Sequence, residues 1–261
     1  MIASVASIAI PGILAGIVLA GMHTYFGLHI IERRVLFLGL TLAQWAALGS
    51  SIGALIGYPP HTPMRYIWSG VFALLGVVVV ELTRRDRETR MPQETILALV
   101  YAITAAITVV IIAETPLHIR GSDLLSVSLH RVAWMAMFYA AVGAVLLAFH
   151  QRFLTGGTWW HFCYYGLLAI IITSSVSVAG VVLVFAYLTV PAVVATMLSK
   201  QPGARLAIGW VVGAVSTAGG ILASLVLDWP TDAAVVCTLG VALAITGAYV
   251  ILNRARRRRF G

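Results

Sequence analysis

Between Phe153 and Ser199 the chain runs 47 residues without an Asp, Glu, Lys or Arg. At a helical rise of about 1.5 Å per residue, one helix of that length would extend roughly 70 Å, more than twice the hydrocarbon core of a bilayer. A single crossing cannot accommodate it, so the run must fold back. The expected bend is the small, polar cluster Thr173, Ser174, Ser175, Ser177 and Gly180. Arg152 and Lys200 then lie on the same side of the membrane, and Pro191 falls in the second arm of a helical hairpin.

Apolar runs of spanning length recur along the rest of the sequence, which is 61% hydrophobic and 10% charged. The predicted fold is therefore all-α: a polytopic helical membrane protein of eight to nine spans, one transmembrane domain over residues 1–261. A transmembrane barrel would show short alternating segments instead. The predicted spans are 6–30, 35–58, 66–82, 94–113, 132–149, the two hairpin arms, 205–227 and 233–252.

The formal charge of +8 does not indicate nucleic acid, because the basic residues sit between spans and at the C-terminus. Placing Arg33 and Arg34 in the cytoplasm and alternating from there puts 14 Lys and Arg inside and three outside (Arg65, Arg120 and Arg131). Cytoplasmic loops are enriched in Lys and Arg, so the N-terminus is predicted outside and the C-terminus inside. Deleting one crossing from the hairpin would put the C-terminal arginine cluster outside. The N-terminal apolar run from Ile8 to Gly21 lacks a basic flank, so a cleaved signal peptide is not expected. Cys163 and Cys237 lie in apolar segments and read as small core residues, not as a disulfide or metal pair.

Glycines four apart recur in three spans: Gly12 and Gly16, Gly49, Gly53 and Gly57, and Gly209 and Gly213. Small residues at that spacing let helix backbones approach closely in lipid. Intramolecular packing is the simplest role, with a subunit interface or a translocation path as alternatives. Ionisable groups within spans are functional candidates because they are costly there. His23 and His29 lie in the first span and Gln44 in the second, while Glu81 and Glu94 fall at span ends beside arginines. His23 and His29 are six apart and do not share a helical face, so a two-histidine metal site on one helix is not supported. Each also fits a hydrogen-bonded structural role. No Walker loop, H-E-x-x-H, C-x-x-C or G-x-S-x-G is present. Nothing in the sequence points to catalysis, and no acid sits mid-span to couple a proton or sodium gradient. Energy is therefore expected from a separate subunit.

Four stretches resemble the permease (membrane) subunits of the zinc, manganese and iron ABC transporter family, relatives of the cobalamin and siderophore permeases. They are Glu32–Gly39 with Leu42–Gly49, Asp123–Ser126, Val178–Ala192 around Pro191, and the turn Asp228–Ala233. The resemblance implies a prokaryotic cytoplasmic (inner) membrane protein, multi-pass, with a cytoplasmic C-terminus. It implies a homodimer forming the translocation path, an ABC ATPase subunit dimer and an extracytoplasmic substrate-binding protein. No cofactor is expected in this chain, with ATP and Mg on the partner subunit. His23, His29, Leu40 and Gln44 are the expected path or gate residues. Arg152, Phe153, Thr158, Trp159 and Trp160 are the expected ATPase-docking residues, though interfacial anchoring would equally explain the tryptophans. His61, Arg65, His118, Arg120 and Asp123 are expected to meet the binding protein.

Two departures stand out. Family members usually carry an Asp and a His four apart in the second span, which suits a divalent cation. The aligned positions here are Leu40 and Gln44, so the cargo is either held elsewhere or different, for example a complexed metal. The loop after the fifth span is also shorter than the family's coupling segment. Rival readings are an ATP-independent membrane carrier and a haem-binding membrane-anchor subunit using His23 or His29.

Overall fold

A computed structural model describes residues 2–33, 35–85, 91–115, 124–155, 157 to 260. Nine α-helices are described: α1 (Ile2–Glu32), α2 (Leu36–Leu55), α3 (Pro63–Arg85), α4 (Gln93–Glu114), α5 (Leu129–Ala148), α6 (His150–Thr155), α7 (Thr158–Leu198), α8 (Pro202–Leu227) and α9 (Thr231–Phe260). No strand occurs among the described residues. Eight of the helices are long and apolar enough to cross a membrane. Their limits fall within a few residues of the predicted spans, because charged or proline-bearing segments mark where each apolar run stops.

The long uncharged run becomes α7, which is broken once, at Gly180 (φ 64°, ψ 168°). That conformation is open only to glycine, since any Cβ would meet backbone atoms. The break divides α7 into arms of about 33 and 27 Å, each comparable to the roughly 30 Å thickness of a bilayer's hydrocarbon core. The bend is narrower than the sequence suggests. Thr173 and Ser177 stay helical, their hydroxyls donating to the carbonyls of Ala169 (2.8 Å) and Thr173 (3.1 Å) one turn earlier. Hydroxyl side chains can satisfy themselves in this way inside a helix, so polarity alone does not end one.

The chain forms two compact units, each assembled from separated segments. The first comprises residues 1–34, 124–135 and 185–261. Within it α1 packs along α8, and α8 along α9. The α1–α8 seam is antiparallel and steps by one turn: Gly12 meets Ile221, Gly16 meets Thr217, Ala20 meets Gly213, and Thr24 meets Gly209. Both glycine pairs therefore serve packing within the chain, and a Cβ on Gly16, Gly209 or Gly213 would collide with the opposing side chain. The second arm of α7 joins this seam through Tyr187, whose hydroxyl lies 2.6 Å from Thr217 Oγ1. Gly27 of α1 packs onto the Leu188 carbonyl. Asp228 takes a left-handed conformation (φ 55°) at the end of α8. The Ser224 hydroxyl donates to the Trp229 carbonyl across that turn at 2.7 Å.

The second unit comprises residues 35–123 and 136–184. Here α2 packs against both α3 and α4. Thr41 donates to the Leu97 carbonyl (3.1 Å) and Gln44 to Thr108 Oγ1 (2.9 Å), tying α2 to α4. Ser69 donates to the Ala46 carbonyl (2.8 Å) and ties α3 to α2. Gly49 approaches the Trp68 carbonyl and Gly53 the Arg65 stem. Gly57 does not continue this face, because α2 ends at Leu55 and Gly57 turns with φ 103°. Tyr139 of α5 reaches the first arm of α7, its hydroxyl 2.6 Å from Ser175 Oγ and 2.9 Å from Ser174 Oγ.

The cysteines are free, as expected, but Cys237 is exposed and not a core residue. It lies on α9, only 17% of whose span is buried within the chain. Lipid is as apolar as a protein core, so an outward thiol costs nothing there.

Candidate functional site

The second unit carries a cavity of about 200 Å³ where the end of α2, the start of α3, the end of α4 and the Gly180 break converge. Its polar lining is Ser50, Ser51, His61, Arg65, Tyr66 and Ser177, and Ala47, Pro60, Ile112, Val176, Gly180 and Val181 complete the wall. Arg65 Nε donates to Ser50 Oγ at 3.0 Å, which fixes the plane of the guanidinium. His61 adopts a left-handed backbone (φ 63°), uncommon for a residue with a side chain. The tight Pro59–Thr62 turn holds it there, with the Thr62 hydroxyl donating to the Pro59 carbonyl at 2.9 Å. Among the described residues, no carboxylate lines the cavity.

Of the residues expected at the outer face, His61 and Arg65 come together in this wall. His118, Arg120 and Asp123 lie outside the described residues. The sequence did not single out Ser50, Ser51, Tyr66 and Ser177 as a group. Their signal is hydroxyls in otherwise apolar spans, close in sequence to the Pro59-Pro60 breaker or to Gly180.

Leu40 and Gln44 lie one turn apart on α2. Gln44 is buried, and its amide is committed to Thr108, which in turn donates to the Thr104 carbonyl at 2.8 Å. Leu40 is half-buried. His23 is fully buried on the α1 face that carries Gly16 and Gly27, with Nδ1 2.8 Å from the Leu19 carbonyl. Its Nε2 has no hydrogen-bond partner among the described residues. The carbonyl can only accept, so Nδ1 carries the proton and a neutral ring leaves Nε2 a bare acceptor. His29 makes the equivalent bond to the Tyr25 carbonyl (2.8 Å) and lies 4.5 Å from the Tyr25 ring. No group of three His, Cys, Asp or Glu able to hold a metal ion occurs among the described residues.

The expected docking segment contains one short helix, α6. Phe153 is buried, packed edge-on to Trp160 (5.6 Å) and against Tyr164 (6.0 Å). Phe149 stacks on Trp160 at 5.8 Å, and the Arg152 guanidinium lies 5.4 Å from the Trp160 ring. Trp159 is 71% exposed and stacks on Phe162 (6.1 Å). Thr158 opens α7. The segment thus divides into an inward aromatic cluster that orients α6 and one outward tryptophan.

Eight helices of spanning length and a small polar cavity describe a polytopic helical membrane protein. Residues 6–250 match the ABC 3 transport family, and the chain belongs to that family. It is 26% identical over 242 residues to a Haemophilus influenzae protein named "Probable iron transport system membrane protein", covering 83% of this chain and 82% of that one. A "Chelated iron transport system membrane protein" of Yersinia pestis is 25% identical over 237 residues, covering 85% and 75%. Among solved structures, PsaBC from Streptococcus pneumoniae in complex with Fab superposes with a TM-score of 0.76 at 16% identity, covering 94% of this chain and 95% of that chain. An inward-facing structure of a metal-chelate type ABC transporter gives 0.67 at 10% identity, covering 94% and 85%. At those identities the solved structures speak for the fold.

Proposed function

We propose that this chain is the membrane-spanning permease of an ABC importer for a divalent metal ion or a metal-containing substrate, with iron in free or chelated form as the first candidate. The observation that carries the reading is the family match over residues 6–250, together with the two relatives described above whose names cite iron transport. The chain works as a homodimer that forms the path, with ATP and Mg bound on a separate pair of ATPase subunits. A substrate-binding protein delivers cargo from outside to a multi-pass protein of the prokaryotic cytoplasmic membrane, whose C-terminus is cytoplasmic. No nucleic acid is involved.

Path residues fall on α1 and α2, including His23, His29, Leu40 and Gln44. His23 supports this because its unpartnered Nε2 is the kind of intramembrane polar group that marks a path or a switch. Trp159 is the part of the α6 segment free to enter an ATPase groove, while Arg152, Phe153 and Trp160 set the angle of α6 and Thr158 starts the helix behind it. His61 and Arg65 stand at the entry, with His118, Arg120 and Asp123 as further outer-face contacts.

The decisive experiment is uptake of labelled iron into vesicles containing the permease and its ATPase, with the binding protein outside. Uptake should require ATP hydrolysis inside and ignore a collapsed proton gradient. Uptake that ignores ATP and follows the gradient would sink the importer reading in favour of a carrier.

A further inference from the structure

In the first unit an open cleft of about 660 Å³ lies between the C-terminal end of α7 and the last turns of the α9 span. Met197, Leu198 and Val250 line it from within the spanning segments, which stop at Leu198 on α7 and at Asn253 on α9. Tyr249 and Asn253 are one turn apart on the same face of α9, and Ser199 and Lys200 follow the end of α7. The lining therefore passes from apolar to hydrogen-bonding to cationic within about 6 Å of helix length, at the level where both spans end.

The polar groups of the cleft are uncommitted. Lys200, Tyr249 and Asn253 make no hydrogen bond or ion pair among the described residues. Ser199 Oγ accepts from the Gln201 amide (3.2 Å) and keeps its own proton to give. The turn behind them is fixed: the Ser199 amide donates to the Ala195 carbonyl (3.0 Å), and Arg205 donates to the Ser199 carbonyl (2.9 Å) and to Glu32 (3.3 Å). Those bonds occupy carbonyls at the end of α7, whose partial negative charge opposes an anion. The sequence has no Asp or Glu from 124 to 227 or from 233 to 261, and it places arginine at 254 and at 256–259, on the last turns of α9. Asp232 lies at the far end of α9, about 30 Å away along the helix. Both elements that build the cleft thus bring charge of one sign to it.

A small aqueous anion would engage Lys200 and leave the apolar wall unused. A phospholipid uses every part: chains against Met197, Leu198 and Val250, the Tyr249 ring at the interfacial level such rings favour, and phosphate at Lys200 and Asn253. Only 17% of the α9 span is buried within the chain, so a lipid reaches the cleft by lateral diffusion. Basic clusters beside a spanning helix attract anionic lipid, each Lys or Arg near the surface being worth about fivefold in binding.

We propose that the cleft at Ser199, Lys200, Tyr249 and Asn253 binds the headgroup of an anionic phospholipid, seating one lipid molecule between α7 and α9. The site follows from the membrane fold and does not rest on the importer reading.

The test is native mass spectrometry of the full-length chain released from detergent micelles, titrated with phosphatidylglycerol or phosphatidylcholine of identical acyl chains. Wild type should hold the first phosphatidylglycerol about fivefold more tightly than phosphatidylcholine. Lys200→Gln should weaken phosphatidylglycerol about fivefold and leave phosphatidylcholine unchanged, and Lys200→Arg should keep the wild-type preference. Asn253→Leu should weaken it about threefold, for one lost hydrogen bond. Asn253→Leu carries the test if Lys200→Gln does not elute as a monodisperse protein. Equal retention of the two lipids by wild type overturns the proposal. A preference that survives Lys200→Gln and Asn253→Leu but disappears when Arg256 to Arg259 are replaced by Gln assigns the anion to the helix tail and overturns the cleft. Displacement of phosphatidylglycerol by inorganic phosphate overturns the lipid assignment. Loss of ATPase co-purification in Lys200→Gln, with lipid retention unchanged, makes the cleft a protein-docking surface and overturns it as well.

Discussion

The bond between Gln44 and Thr108 sets up a test in which two substitutions on one contact should have unequal effects. Thr108 Oγ1 accepts from the Gln44 amide (2.9 Å) and donates to the Thr104 carbonyl (2.8 Å). Replacing Thr108 with Val leaves a buried amide N–H without its acceptor, a desolvation loss of about 1–3 kcal/mol. Replacing Gln44 with Met removes the donor but leaves the Thr108 hydroxyl satisfied through Thr104, so the cost falls to about 0.5–1.5 kcal/mol. The double variant removes both partners, and its cost should be smaller than the sum of the two. Interhelical hydrogen bonds in membranes average about 0.6 kcal/mol and reach about 1.7, which brackets the expected coupling. Unfolding of the four proteins by SDS titration in mixed micelles provides the cycle. A Gln44→Met loss equal to or larger than that of Thr108→Val, or a coupling of zero, would refute the assignment of this contact as a structural tie.

Gly180→Ala should destabilise the protein by about 1–3 kcal/mol in the same titration, because φ 64° with ψ 168° is a backbone region essentially reserved for glycine; an unchanged midpoint would show that α7 does not hold this break. Phe153→Ala should cost about 3–5 kcal/mol from lost burial, whereas Trp159→Ala should leave stability within about 0.5 kcal/mol. If Trp159 docks the ATPase, the second variant should instead lower permease-stimulated ATP hydrolysis, read in the reconstituted complex. Tyr187→Phe removes the 2.6 Å contact to Thr217 and should cost about 0.5–1.5 kcal/mol, with uptake unaffected if the bond only fastens the seam.

Much of the fold was legible because membrane spans are written in a coarse alphabet. The arginine-rich, Pro-Pro and Asp-Trp-Pro segments fall between apolar runs, so the helix limits follow from where burying charge becomes too costly. The paired spacing of Gly12 with Gly16 and of Gly209 with Gly213 showed two faces, but not that they face each other. The break in α7 was placed too broadly because Thr173 and Ser177 look like loop residues until their hydroxyls are seen bonded within the helix. Gly57 looked like a third step of a packing face because spacing does not reveal where a helix stops.

The site was less legible. His61 and Arg65 were picked out by type and location, yet most of their cavity companions come from other helices, α2, α4 and α7. Serines in an apolar span are usually satisfied by their own carbonyls, so Ser51 and Ser177 carry no distinguishing mark in one dimension. Phe153 and Trp160 were equally ambiguous. An aromatic beside a short polar segment fits an outward plug and an inward brace alike, and only packing separates Trp159 from its neighbours.

The seam between α1 and α8 determines how the first unit can move. Along it, small residues at one end of α1 face larger ones on α8, and the order reverses at the other end: Gly12 and Gly16 oppose Ile221 and Thr217, Ala20 and Thr24 oppose Gly213 and Gly209. A slip of one turn in one direction drives the Ala20 methyl into Thr217, where even the Cβ of an alanine at Gly16 has no space. A slip the other way sets Gly16 against Gly213 and opens a void. Only one vernier setting keeps every rung filled, so α1 and α8 travel as a single strut, and any stroke must be taken up at joints elsewhere in the chain.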